Sequence, residues 1–128
     1  MEILLDTHTF VWFDVAPEKL SDAVRTLLQE PSTVVFVSAL TAWELGIKFA
    51  LGKLPEAQAL VQNFHLKLAQ YQFIEWALSA ADPLSAAQWP ANHKDPFDRA
   101  LAAQCLGRQM PIASADTRLD DFGIRRIW

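Results

Sequence analysis

Apolar residues follow two rhythms along the chain, and their alternation predicts strands interleaved with helices. Short apolar runs read as strands at Glu2 to Leu5, Thr33 to Val37, Phe73 to Trp76, Pro111 to Ala113 and Arg125 to Trp128; Glu75 interrupts the third. Thr7 to Phe13 reads as a short helix, and Ser21 to Glu30 as one that sets Ala23, Val24, Leu27 and Leu28 at helical spacing and stops before Pro31. Ala39 to Leu51, closed by Gly52, is apolar nearly all round, with Thr41, Glu44 and Lys48 as its one polar stripe. Glu56 to Gln70 predicts one or two helices, Ser85 to Gln88 a small one, Pro96 to Arg108 a long one and Thr117 to Phe122 a helical turn.

Parallel neighbours need crossovers that helices supply, so the pattern predicts an α/β domain on a mostly parallel sheet. Each crossover helix then begins at the carboxyl edge of the sheet, where ligands bind. Asp6 follows the first strand and Asp116 the fourth, while Glu44 and Asp98 lie early in helices that start at the same edge. Four acids are expected to converge there.

Composition narrows the classes. The chain has 128 residues, 52% hydrophobic and 20% charged, which suits one folded domain spanning 1–128 and excludes a disordered or fibrous chain. Cys105 is the single cysteine, the start MEILLD has no basic leader, and no run approaches the roughly 20 apolar residues of a membrane span; a reducing, cytoplasmic location is expected. Eleven Lys plus Arg against 15 Asp plus Glu gives a net charge of −4, unlike the basic footprint of ordinary nucleic-acid binders.

Taken singly, each acid has a structural explanation. Asp6 and Asp116 suit helix N-caps, Glu44 a capping box with Thr41 or a pair with Lys48, and Asp98 the first turn of a helix capped by Asp95 and begun by Pro96. Capping does not explain why Glu44 interrupts an otherwise apolar helix. A cluster of like charges needs neutralising bases, retained protons or divalent cations. An all-oxygen ligand set suits Mg²⁺ or Mn²⁺, and phosphodiester hydrolysis is the chemistry such ions invite.

The stretches LLDTHTFVW (4–12), SALTAWELGIKFALGKL (38–54), HKDPFDRALAAQ (93–104) and ASADTRLDDFGI (113–124) resemble PIN-domain ribonucleases, specifically VapC-type toxins of type II toxin–antitoxin systems. The resemblance implies a three-layer α/β/α fold with a five-stranded sheet, and a metal-dependent RNA endonuclease using Mg²⁺ or Mn²⁺. It also implies a homodimer inhibited by a VapB-like antitoxin. Asp6, Glu44, Asp98 and Asp116 fall at the family's acids: three as direct or water-mediated ligands, Glu44 as ligand or orienter of the attacking water. Ser114 and Thr7 support them, and Lys48 and Arg99 are candidate phosphate contacts, as are Lys94 and Arg118. Asp120 and Asp121 are rivals for the fourth place, and Asp95 is a better cap than ligand.

Other readings remain open. His8 and His93 suggest metal-free acid–base cleavage, which chelation distinguishes. Asp6 after a strand also suits an Mg²⁺-dependent phosphotransferase, although His8 stands where a second acid is wanted. A non-catalytic binding module using its acids only as caps is the third. Among the tryptophans, Trp43 is expected in the core, and Trp12 with Phe13 near enough to Asp6 to stack on substrate.

Overall fold

A computed structural model describes residues 1–90 and 93–128. Its strands are β1 (Glu2–Leu5), β2 (Val34–Ser38), β3 (Ile74–Trp76), β4 (Ile112–Ala113) and β5 (Arg126–Ile127), in the sheet order β3-β2-β1-β4-β5. Each pairing is parallel. The helices are α1 (Thr7–Val15), α2 (Asp22–Gln29), α3 (Ala39–Ala50), α4 (Gln58–Gln62), α5 (Phe64–Tyr71), α6 (Ala81–Ala87) and α7 (Pro96–Arg108), with 3₁₀ turns at Pro17–Lys19, Pro55–Ala57 and Thr117–Phe122.

Side-chain alternation along the central strands splits the interior into two cores. Ile3 and Leu5 of β1, with Val35 and Val37 of β2, face a core shared with Phe10, Val24, Leu60 and Leu68. Leu4 and Phe36 face the other side, against Leu101, Cys105 and Leu119. Both faces of the sheet are therefore covered, which is why β1 and β2 read as unbroken apolar runs. Burying each large apolar side chain contributes about 1.5–3 kcal/mol.

Chain order positions the site. From β1 the chain moves outward through β2 to β3, then crosses back through α6 and α7 to place β4 on the other side of β1. The sheet thus reverses direction between β1 and β4, and a crevice opens beyond their carboxyl ends. Asp6 and Ser114 are the first residues past those ends, and the Asp6 N–H donates to the Ala113 carbonyl at 3.2 Å, carrying the ladder one step further.

The predicted elements are present with small shifts of their ends. The segment Glu56 to Gln70 divides into the 3₁₀ turn at Pro55–Ala57, α4 and α5. The small helix expected at Ser85 to Gln88 is α6, which starts earlier because Pro83 is tolerated in its first turn, where backbone N–H groups lack helical partners anyway.

One expectation is overturned. Trp43 is 63% exposed, with its ring edge-to-face on Phe97 at 5.3 Å. The polar stripe of α3 turns inward, leaving Thr41 and Glu44 buried, so Trp43, Ile47 and Leu51 are carried outward while Leu45 fills the core. Among the described residues no helix is long and apolar enough to cross a membrane.

Candidate metal centre

Asp6 caps α1, its Oδ1 accepting from the Thr9 N–H at 2.8 Å, while Oδ2 accepts from the Ser114 hydroxyl. Ser114 Oγ also accepts from the Asp116 N–H at 3.0 Å, so one buried hydroxyl ties the first acid to the fourth. Asp116 caps the 3₁₀ turn that follows, and the Arg118 guanidinium grips both its oxygens at 3.0 and 2.8 Å.

Glu44 arrives from α3, whose start is fixed by Ser38, a cap that accepts from the Leu40 N–H and donates to Gln104 Oε1 at 2.6 Å. The Thr7 hydroxyl donates to Glu44 Oε1 at 2.6 Å, and Lys48 Nζ pairs with Oε2. Asp98 sits in the first turn of α7. There Asp95 Oδ1 accepts from the Phe97 and Asp98 N–H groups, which gives Asp95 the capping part its sequence position indicates.

The four acids line one cleft of about 380 Å³ together with His8, Trp12, Lys48, Asp95 and Arg118. Five carboxylates face two basic side chains there, a local excess that the chain's net charge of −4 does not reveal. Burial raises the Asp6 carboxyl above its ordinary value, against the opposing bonds from Ser114 and Thr9. Burial, then the nearby charges of Asp95 and Glu44, push Asp98 up to about 6, opposed by its bond with His93. Arg118 holds Asp116 below the usual carboxylate range. Partial burial disfavours the Lys48 ammonium, but its contact with Glu44 outweighs this and leaves Lys48 above its ordinary value.

Other candidates lie elsewhere. Arg99 does not line the cleft; its guanidinium binds the carbonyls of Ala86, Trp89 and His93, a clamp on the segment before α7 and not a contact open to phosphate. Lys94 lines a separate hollow beside Pro83 and Pro96. Phe13 packs into the core against Tyr71 and Phe73, leaving Trp12 as the aromatic at the cleft. Asp120 is paired with Arg126 and Asp121 borders a hollow with Trp89 and Phe122, and neither lines the acidic cleft.

Sequence reasoning missed one participant. His93 is 3% exposed, with Nε2 2.8 Å from Asp98 Oδ2 and 3.3 Å from Asp116 Oδ2. The reading of His93 as an acid–base partner of His8 overlooked its place five residues before Asp98, where the turn capped by Asp95 folds it back beneath the acids.

The PIN domain family model matches residues 3–124. The chain belongs to the PIN domain family. PIN domains are generally nucleases and generally use divalent metal ions. Among solved structures, this PIN domain resembles VapBC2 from Rickettsia felis bound to a promoter DNA fragment, at 10% identity and TM-score 0.67, covering 99% of this chain and 98% of that one. It resembles VapC20 of Mycobacterium tuberculosis, a Sarcin-Ricin loop cleaving toxin, at 15% identity and TM-score 0.68 over 95% of both chains. FitAcB from Neisseria gonorrhoeae is similar at 20% identity and TM-score 0.59, over 98% of this chain and 96% of that one. At these identities the likeness is one of fold. No curated protein matches the sequence.

The residues of this PIN domain fit a hard divalent cation. Carboxylate oxygens dominate the lining, their excess negative charge calls for a cation, and the cleft has room for the waters such an ion keeps.

Proposed function

We propose that this PIN domain, a single unit spanning 1–128, is a metal-dependent endoribonuclease acting as the toxin of a VapBC-type pair, with Mg²⁺ or Mn²⁺ as cofactor. The observation that supports this best is the meeting of Asp6, Glu44, Asp98 and Asp116 around one cleft at the switch point of the sheet. In this reading Asp6, Asp98 and Asp116 hold the ion. When bound, a divalent ion acidifies an attacking water and neutralises charge developing on phosphorus.

Glu44 has each oxygen engaged by a neighbour, which suits it to orient the attacking water. Lys48 and Arg118, at the rim beside the acids, meet the flanking phosphates, and Trp12 offers a face to an unpaired base. An acidic protein thereby binds a polyanion through its ion and two placed bases. The antitoxin follows from the same electrostatics: a basic tail entering the acidic cleft displaces the ion, consistent with a VapB-like partner acting on a homodimer. The phosphotransferase reading is weaker, because His8 stands two residues after Asp6, where that chemistry wants a second acid.

The test is incubation of antitoxin-free protein with bacterial RNA, with and without Mn²⁺, followed by end mapping. Cleavage that needs the ion and leaves 5′-phosphate ends is expected. Cleavage that survives chelation and leaves cyclic phosphates points instead to histidine chemistry.

A further inference from the structure

We propose that His93 is a positioning residue for the acidic centre, holding Asp98 and Asp116 in the arrangement a divalent ion needs without itself binding the ion. The inference rests on the nuclease reading above and deepens it. Ionised carboxylates only accept, so the His93 nitrogen between two of them carries the hydrogen: Nε2 donates to Asp98 Oδ2 at 2.8 Å and lies 3.3 Å from Asp116 Oδ2. His93, Asp98 and Asp116 bring their ligand atoms within 4.8 Å of one another, and with the hydrogen on Nε2 that nitrogen serves the two carboxylates and not the ion.

The ring is fixed from other sides. It stacks on Phe122 at 6.1 Å and 26°, and the His93 carbonyl accepts from Arg99 Nη1 at 3.1 Å. Its side chain is 1% exposed, so solvent does not compete for the shared N–H. Among the described residues nothing bonds to Asp98 Oδ1, which leaves one oxygen of that carboxylate directed to the cleft while His93 holds the other. Without the shared N–H the like charges of the two carboxylates repel, with Asp116 still held by Arg118 and Asp98 losing the partner of its Oδ2. Outer partners that orient ligating groups typically change metal affinity by about 10- to 100-fold when removed.

The experiment is calorimetric titration of Mn²⁺ into the intact chain as wild type, His93→Phe and His93→Gln, with a thermal melt of each. His93→Phe keeps a flat ring against Phe122 but no donor, and its affinity is expected to fall about 10- to 100-fold. His93→Gln places an amide N–H near the same point and is expected to recover most of the loss, an outcome that a purely structural role does not produce. Should His93→Phe fail to melt cooperatively, His93→Ala takes its place. Spin-echo spectroscopy of the Mn²⁺-loaded wild type is expected to show no directly bound imidazole nitrogen. Wild-type affinity in His93→Phe, no rescue by glutamine, or a nitrogen directly on manganese overturns the proposal while the nuclease reading stands. A wild type that binds no Mn²⁺ removes both.

Discussion

The Thr7 hydroxyl donates to Glu44 Oε1 across 2.6 Å, joining the first residue of α1 to the middle of α3 inside the protein. Thr7 is 2% exposed and Glu44 also 2%, so no water replaces this bond if it is lost. It fixes the acid that α3 carries into the cleft.

Thr7→Val keeps the shape and removes the donor. A buried hydrogen bond to a charged acceptor is worth about 1.5–3 kcal/mol, and a destabilisation of that size is expected in denaturant unfolding. RNA cleavage should fall at the same time, because Glu44 keeps only Lys48 to fix its direction. Unchanged cleavage in a destabilised Thr7→Val protein contradicts a role for Glu44 geometry.

Asp98 makes the metal-free protein sensitive to pH. Its ordinary value is 3.8 and its value in the fold is about 6, so the stability it contributes is complete below pH 3.8 and is lost as pH rises through about 6. Asp6, also raised, acts in the same direction, whereas Asp116, lowered by Arg118, contributes stability that is lost as pH falls. Metal-free protein should therefore lose stability between about pH 4 and pH 7, by about 2 to 3 kcal/mol from Asp98. Asp98→Asn should flatten that slope, raise the neutral-pH melting temperature and abolish cleavage. Mn²⁺, binding the charged form, should stabilise the wild type more as pH rises. Melts across this range with and without Mn²⁺ check each sign.

Arg99 tests the clamp on the chain before α7. Its guanidinium serves the carbonyls of Ala86, Trp89 and His93, a fork that a lysine ammonium does not reproduce. Arg99→Lys should destabilise by about 1–3 kcal/mol through carbonyls left unmatched, with His93 less well held. Equal stability of Arg99→Lys and wild type contradicts this role.

Two apolar residues on α3 should respond in opposite ways. Leu45 is 1% exposed and Trp43 63% exposed, so Leu45→Ala should cost about 2–5 kcal/mol and Trp43→Ala under about 1 kcal/mol despite deleting the larger side chain. Urea unfolding of the two variants compares them directly.

The strands and the long helices were legible because a doubly covered parallel sheet forces apolar runs, and helix ends carry their own caps, as at Ser21, Ser38 and Asp95. The four acids were legible because strand ends and helix starts share one edge of such a sheet. The facing of α3 was not. Its apolar residues surround the helix, and only the position of the acidic cleft decides that the polar stripe turns inward and Trp43 outward. Arg99 and His93 escaped for a related reason: one binds backbone carbonyls and the other works through a turn, and neither leaves a periodic trace.

The most direct measurement is anomalous diffraction from crystals of this protein soaked in Mn²⁺. A peak is expected in the cleft, about 2.1–2.2 Å from carboxylate oxygens of Asp6, Asp98 or Asp116, with waters filling the remaining positions. A saturated soak with no peak among these acids, or with manganese bound only elsewhere, contradicts the account.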